Sequence, residues 1–176
     1  MRFELLREDQ KPFYKEEILA MMHFSDRDFI PPLSCRSSTT QKDLSGSQPV
    51  ENGIALYYEQ MQQQQILCAF EGDCLLAFVS FRENYTTDHI TEETFPNIYL
   101  STLVSKPEAR GKGLTKKMYA HLFFERYPDR RIFTRTWSTN AIHIKILDYF
   151  GFELIHRIEN DRGEGIDTVY FRKNPQ

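Results

Sequence analysis

A basic turn with two glycines, placed between an apolar stretch and an amphipathic one, constrains this chain more than any other sequence feature. The turn reads Arg-Gly-Lys-Gly over residues 110–113, and residues 99–104 before it are mostly apolar. After the turn, Leu114, Met118 and Leu122 recur at the spacing of one helix face. The sequence therefore predicts a strand, a tight turn and a helix in immediate succession.

Such a turn is suited to binding an anion. The first backbone N–H groups of a helix have no intrahelical acceptor, and the helix dipole makes this end positive. Gly111 and Gly113 lack a Cβ, so a ligand can approach the backbone closely. Arg110 and Lys112 add positive charge, and Thr115 adds a hydroxyl. We therefore expect the turn to hold a phosphate or pyrophosphate, with a solvated loop before a helix as the alternative.

The positions of the glycines argue against two common nucleotide-binding motifs. A Walker loop ends in Gly-Lys-Ser/Thr, whereas Lys112 is followed here by Gly113. A dinucleotide fingerprint has three spaced glycines, and this turn has two. The anion that binds here is therefore expected to belong to another class of ligand.

Length, charge and cysteine spacing narrow the class of protein further. The chain has 176 residues, and we expect residues 1–176 to form a single domain with a sizeable core. Its net charge of −3 gives no broad basic surface for nucleic acid. Its 3 cysteines have no metal-binding spacing, and no apolar window approaches a membrane span. We expect a cytoplasmic protein with no metal, no nucleic acid and no membrane as partners.

Periodicity along the chain predicts a mixed α/β fold with a mostly antiparallel central sheet flanked by helices. Two apolar runs joined at Glu71-Gly72-Asp73 predict a hairpin, and Gly151 predicts the end of a helix. The predicted strands are 3–7, 65–70, 74–81, 98–104, 131–137, 152–158 and 166–172. The predicted helices begin near Asp9, Pro49, Leu114 and Ser138 or Thr139, and residues 33–48 are predicted to be a polar loop.

Two segments of the chain resemble the GNAT superfamily of N-acetyltransferases. Residues 110–115 are similar to the acyl-CoA loop of that family, Arg/Gln-x-x-Gly-x-Gly/Ala after a strand, with Thr115 at the last small position. The helix near Asn140 resembles the helix after the family's fifth strand, because Gly151-Phe152 follow at the family's spacing. The order of predicted elements matches over essentially the whole chain.

The resemblance implies the GNAT fold, with acetyl-CoA bound as co-substrate between the fourth and fifth strands and no metal. Backbone amides of the loop would face the pyrophosphate, while a strand edge and a helix would contact the pantetheine arm. An amine of a small molecule or peptide would then attack the thioester directly. Dimers are common in the family, so a homodimer is left open. The residues implied for acetyl-CoA are Leu103, Val104, Arg110, Gly111, Lys112, Gly113, Leu114, Thr115 and Asn140.

Two positions depart from the acid and the base that many members of this family carry. Leu147 stands where many have a tyrosine acid, and Ile98 stands where many have a glutamate. Neither apolar side chain can transfer a proton. His143 shares a predicted helix face with Asn140 and Leu147, so it is our candidate acid for the leaving thiolate. A histidine packed against a neighbour is the alternative.

The acceptor site is predicted from the early helices and loops. Phe29 and Tyr57 would wall the acceptor slot and Glu59 would hold a cationic amine, with a core role for Tyr57 as the alternative. The resulting hypothesis is an acetyl-CoA-dependent N-acetyltransferase that acts on a primary amine. The alternatives are a non-catalytic acyl-CoA-binding or regulatory protein of the same fold, and a protein that binds some other phosphorylated ligand.

Overall fold

A central sheet of seven strands organises the structure, a computed structural model that describes residues 1–175. The order across the sheet is β1-β2-β3-β4-β5-β7-β6. Each neighbouring pair in these residues is antiparallel except β4 with β5, which is parallel. The predicted mixed, mostly antiparallel sheet is confirmed. The strands are β1 Arg2–Leu5, β2 Gln65–Glu71, β3 Cys74–Glu83, β4 Asn97–Ser105, β5 Arg131–Trp137, β6 Glu153–Ile158 and β7 Thr168–Lys173.

Helices cover both faces of this sheet. None of the helices in residues 1–175 combines the length and the apolarity that a membrane-spanning helix needs. The α-helices are α1 Lys11–Ser25, α2 Gly53–Met61, α3 Leu114–Ala120 and α4 Ala141–Tyr149, and α3 continues as a π-helical segment over His121–Arg126. Short 3₁₀ turns lie at Asp26–Asp28, Leu33–Cys35, Glu92–Thr94 and Pro107–Ala109.

The N-cap of the first helix lies one residue after the predicted one. Asp9 was the expected N-cap, but its carboxylate accepts from the guanidinium of Arg7, and Gln10 takes the N-cap position. The side chain of Gln10 does not cap the helix, because its Oε1 accepts from the backbone N–H of Arg7. Local side-chain hydrogen bonds of this kind compete with capping.

The helix after β5 is capped by a different residue from the one predicted. Asn140, rather than Ser138 or Thr139, is the N-cap, and its side chain accepts from the backbone N–H of His143. The other end follows the prediction, since Gly151 has a φ of +74° directly after the helix. The cap places Asn140 and His143 together at the end of α4 that is nearest β5.

The second helix begins later than Pro49 because the preceding residues pack against the loop before it. The N–H of Val50 donates to the Ser34 carbonyl at 3.0 Å, and a Cβ at Gly53 would lie 2.1 Å from that same oxygen. The predicted polar loop at 33–48 is thus packed in places, and Leu33 and Leu44 within it are buried.

Apolar clusters on the two faces of the sheet form the core. Along β2, Leu67 and Ala69 point into the cluster under α3 and α4, while Ile66 and Cys68 point into the cluster under α1 and α2. This alternation is the period of two that a strand buried on both faces requires. Cys68 is fully buried in this core, and burial raises the pKa of its thiol.

The parallel strands β4 and β5 separate within the sheet. They are paired from Asn97 and Arg131 to Leu100 and Thr134, although both strands continue further. The β3–β4 register shifts at the same level, since Ser80 pairs with Thr102 and Phe81 with Leu100. The extra residue, Ser101, forms a bulge that bends β4. The two strands therefore diverge and leave an opening in the sheet.

Candidate active site

The divergence of β4 and β5 opens a cavity of about 390 Å³. This is the opening that was predicted between the fourth and fifth strands. Besides the two strands, the loop after α1, the start of α3, the first turns of α4 and the β6–β7 turn contribute side chains. The residues discussed below that line it are Asp28, Phe29, Arg36, Ser101, Thr102, Leu103, Val104, Arg110, Thr115, Tyr119, Arg135, Thr136, Trp137, Asn140, His143 and Arg162.

The glycine turn borders this cavity and presents unpaired backbone donors. Gly111 and Gly113 have φ values of +74° and +72°, which favour glycine because other residues are strained there. A Cβ at either position would have no neighbour within 4 Å, so the turn faces open space. The N–H groups of residues 111–116 have no acceptor among the described residues. Clustered donors of this kind bind phosphate oxygens.

The side chain of Arg110 is held by the protein itself. Its Nη2 donates to Asp28 at 2.8 Å and to the Ser25 hydroxyl at 3.0 Å, which ties the turn to the loop after α1. This ion pair is partly exposed, so it stabilises the fold by only about 0–1 kcal/mol. The guanidinium of Arg110 is therefore engaged within the protein, whereas the side chain of Lys112 is exposed, and the role of Arg110 in binding phosphate stays a prediction.

The edge of β4 that faces the cavity has no strand beside it. Leu103 and Val104 pair with β3 on the other side, while the pairing with β5 ends at Leu100. The hydroxyl of Ser101, at the bulge, is buried without a hydrogen-bond partner. A strand edge with unpaired groups can accept an extended ligand that carries amides.

A histidine and a tyrosine form a hydrogen-bonded pair in the cavity wall. The Nε2 atom of His143 lies 2.9 Å from the Tyr119 hydroxyl. Burial lowers the pKa of His143 to about 4, so the imidazole is neutral at pH 7. Burial also raises the pKa of Tyr119, so its phenol stays protonated. The predicted His143 is thus at the cavity, in contact with a neighbour that the sequence did not reveal.

Tyr119 had one weak signal in the sequence. It follows Met118, which belongs to the apolar face of the helix after the glycine turn. An aromatic residue at the border of an apolar face is usually packed in a core, and Tyr119 is only 1% exposed. Its contact with His143 joins residues 24 positions apart, which no local pattern indicates.

One face of α4 carries Asn140, His143 and Leu147. The first two residues line the cavity, and the third lies in the core. Asn140 lines the cavity, but its Oδ1 accepts from the His143 N–H and its Nδ2 donates to Thr136 at 3.0 Å. Leu147 is fully buried among core residues. Asn140 therefore ties α4 to β5, and Leu147 does not reach the cavity.

The three residues predicted to bind the acceptor lie in three different places in the structure. Phe29 lines the cavity, with its ring centroid 5.9 Å from that of Trp137. Tyr57 is buried behind the wall, where its hydroxyl bonds to Thr102 at 2.7 Å. Glu59 is exposed on α2 outside the cavity, so its predicted place at the acceptor site is wrong. Tyr57 and Glu59 are two positions apart on α2, so their side chains point to different sides of the helix.

Three arginines also line the cavity, and one of them, Arg36, belongs to the early loops that were predicted to form the acceptor site. They are Arg36, Arg135 and Arg162, from the loop after α1, from β5 and from the β6–β7 turn. A single arginine in a polar loop or turn is usually solvated, so nothing local indicates that these side chains converge. Within residues 1–175, no group of three or more His, Cys, Asp or Glu side chains is placed to bind a metal ion.

Comparison with known sequences identifies one family. The profile of the acetyltransferase (GNAT) family matches residues 34–152. This segment contains α2, the glycine turn, α3, α4 and strands β2 to β5. No curated protein matches the chain.

Several solved structures share the fold over nearly the whole chain. A ribosomal-protein-alanine N-acetyltransferase from Brucella melitensis has a TM-score of 0.65 at 14% identity, and the match covers 99% of each chain. An N-acetyltransferase from Staphylococcus aureus has a TM-score of 0.65 at 15% identity, covering 98% of this chain and 97% of the other. A phosphinothricin acetyltransferase from Sinorhizobium meliloti, solved in complex with acetyl-CoA, has a TM-score of 0.63 at 15% identity, covering 98% and 86%. At these identities the likeness is one of fold.

Proposed function

The chain belongs to the GNAT acetyltransferase family, and on this premise we propose that it transfers an acetyl group from acetyl-CoA to the primary amine of a small molecule or peptide. The observation that carries the proposal is the turn at residues 110–115, whose unpaired N–H groups border a cavity between two diverging strands. The S. meliloti structure, of the same fold, holds acetyl-CoA.

The residues around the cavity fit the parts of acetyl-CoA. The N–H groups of residues 111–116 and the ammonium of Lys112 would bind the pyrophosphate, because charge-assisted hydrogen bonds to phosphate oxygens are strong. The free edge of β4 at Leu103 and Val104 would pair with the amides of the pantetheine arm. Leu114 would stay in the core, where it is buried, and Thr115 and Asn140 would contact the ligand from the two helices.

Acetyl transfer to an amine requires two proton movements. The amine nitrogen forms a bond to the acetyl carbon while the carbon–sulfur bond breaks, so the nitrogen loses a proton and the sulfur gains one. Acetyl-CoA supplies the activated acetyl group. A donor near the sulfur would accelerate the reaction, because a positioned acid contributes about 10²–10⁴-fold.

We assign the donor role to Tyr119 and a positioning role to His143. The neutral imidazole of His143 is a poor acid at pH 7, since burial holds its pKa at about 4. With the imidazole proton on Nε2, His143 would donate to the Tyr119 oxygen and leave the phenol proton free to point into the cavity. Tyr119 thus takes over the task for which Leu147 is unsuited.

A pair of matched variants tests the acetyl-CoA site. Gly113→Asp places a carboxylate beside the expected pyrophosphate, and Gly72→Asp makes the same change in the β2–β3 turn. Both glycines have positive φ, +72° and +57°, and neither added Cβ would have a neighbour within 4 Å. Backbone strain is therefore similar in the two variants. We expect Gly113→Asp to weaken CoA binding at least about tenfold and Gly72→Asp to leave it unchanged, measured by calorimetry.

Release of free thiol from acetyl-CoA in the presence of a panel of amines tests turnover. Thiol release that depends on the amine supports the proposal. CoA binding without thiol release over a broad panel favours the non-catalytic acyl-CoA-binding protein. If CoA does not bind at all, or if both glycine variants bind it equally well, the turn is not an acyl-CoA site.

A further inference from the structure

Part of the cavity wall carries a concentration of positive charge. Arg36 and Arg162 are 7% and 6% exposed, and Arg135 is half-buried. All three line the same cavity. Arginine is seldom buried to this extent unless it is paired, so the partners of these side chains decide how the site is used.

Two of the three guanidinium groups are adjacent, and the third, that of Arg135, lines the same cavity. The carbonyl of Ile30 accepts from Nη2 of Arg36 at 3.2 Å and also from Nη1 of Arg162, which makes these two groups adjacent. Burial, followed by the charges of Arg36 and Arg135, lowers the pKa of Arg162 to about 9. Burial also lowers the pKa of Arg36, and Arg135 again contributes to this.

Neutral oxygen atoms, rather than carboxylates, hold these arginines. Arg36 donates to the Pro31 carbonyl at 3.0 Å, Arg135 to the Gln41 carbonyl at 2.7 Å, and Arg162 to the Thr168 hydroxyl at 2.9 Å. Among residues 1–175, none of the three forms an ion pair.

The carboxylate of Asp161 is linked to Arg162 through a hydroxyl, and its charge does not offset the lowering of the Arg162 pKa by burial. Asp161 accepts a hydrogen bond from Thr168, which in turn accepts from Arg162. Asp28, the carboxylate that lines the cavity, is paired with Arg110. Burying a charge without a counter-ion costs free energy, so an anion that enters the cavity would be stabilised by a charge that the protein has left unpaired.

Aromatic rings hold two of the guanidinium groups in place. Cζ of Arg36 lies 5.4 Å from the centroid of the Phe29 ring, and Cζ of Arg162 lies 5.8 Å from that of Trp137. Arginine on an aromatic face loses little further freedom when it binds a ligand. The arrangement is therefore preorganised for the two oxygens of a carboxylate or for the oxygens of a phosphate.

We propose that the acceptor is a small amine that carries an anionic oxygen group, a carboxylate or a phosphate, and that Arg36, Arg135 and Arg162 bind this group. The inference rests on the proposed function, since it names the class of acceptor for the same cavity. It reverses the expectation attached to Glu59, because the charge at the acceptor site is positive.

The same charge affects the amine of the acceptor. A positive environment disfavours the protonated form of a nearby amine and lowers its pKa. The bound amine would then lose its proton to water more readily, which suits a cavity whose lining carboxylate, Asp28, is already paired with Arg110. The anionic group of the acceptor binds to the arginines. Because three arginines carry more charge than this one group, the site stays positive and favours the unprotonated, nucleophilic form of the acceptor's amine.

Matched pairs of amines test the proposal on the protein saturated with CoA. Each pair differs only in the anionic group: β-alanine with propylamine, aspartate with its diamide, and phosphoethanolamine with ethanolamine. Calorimetry measures the affinity of each compound, and thiol release from acetyl-CoA measures its kcat/KM. The carboxylate and phosphate pairs separate the two sources of the anion. Inorganic phosphate should also raise the Tm of the CoA-saturated protein, in which the glycine turn is already occupied.

The arginine variants identify the groups responsible. Arg135→Gln and Arg162→Gln should each lower the preference for the anionic member at least tenfold, and Arg162→Lys should restore part of it. Arg157→Gln is the control, because Arg157 is an exposed arginine paired with Asp167 outside the cavity. Unchanged affinity for CoA shows that a variant is folded.

Each outcome decides between the two proposals. If neutral amines bind as tightly and react as fast as their anionic partners, or if the arginine variants keep the preference, the acceptor class is wrong and the acetyltransferase proposal stands. If CoA itself does not bind, the proposed function fails. The phosphate-induced shift in Tm requires no variant, and its absence together with equal binding within every pair overturns the inference.

Discussion

The buried imidazole of His143 makes the stability of the protein depend on pH in a predictable direction. Its pKa in the folded protein is about 4, against an ordinary value of 6.5, because of burial. Between these values the unfolded chain binds a proton that the folded chain does not, so the free energy of unfolding falls as the pH falls. The stability is fully present above pH 6.5 and is lost progressively down to about pH 4.

The size of the effect follows from the two pKa values. The difference between 6.5 and about 4 corresponds to about 3 kcal/mol in full, of which about 2 kcal/mol is lost between pH 7 and pH 5. Part of the His143 side chain stays exposed at the cavity, and contact with water lowers the cost of charging the imidazole. We therefore expect a loss of about 1 kcal/mol between pH 7 and pH 5.

Urea unfolding of the wild type and of His143→Gln at both pH values measures this loss. The variant lacks the titrating group, while all other ionisable groups contribute alike to both proteins. The wild type should lose about 1 kcal/mol more than the variant on going to pH 5. An NMR titration of the imidazole gives the folded pKa directly. Equal losses in the two proteins, or a midpoint near 6.5, would refute the reasoning that His143 is neutral and buried.

Two further predictions concern the helices around the cavity. Tyr119→Phe should lower kcat about 100-fold with little change in the KM for acetyl-CoA, and combining it with His143→Gln should lower kcat less than the product of the single effects. Full activity of Tyr119→Phe would exclude the phenol as the proton donor. Leu147→Ala should destabilise the protein by about 2–5 kcal/mol in urea unfolding, because Leu147 is fully buried. Ile142→Ala, at a position 80% exposed on the same helix, should have an effect of less than about 0.5 kcal/mol, and equal losses would show that Leu147 is not a core residue.

Local sequence patterns predicted most of the fold. The bounds of β5 were predicted to the residue, and the β2–β3 hairpin formed at its expected turn. The glycine turn also lies where its spacing placed it, between β4 and α3. These features depend on neighbouring residues: period-two and helical patterns, turn residues, and glycines in conformations with positive φ. Capping was predicted less well, because each helix start has neighbouring polar residues that can all serve as caps, Asp9 and Gln10 at one helix and residues 138–140 at the other.

The candidate phosphate-binding turn can be identified without a structure, because residues 110–115 are contiguous and their own backbone creates the site. The side chains on the other walls of the cavity come together through long-range packing. Tyr119 reaches His143 because α3 and α4 pack on one face of the sheet, and Arg162 donates to Ile30 across 132 positions of the chain. Burial, which holds the imidazole neutral and leaves arginine charges without counter-ions, is a property of the packed core, so no stretch of sequence contains it.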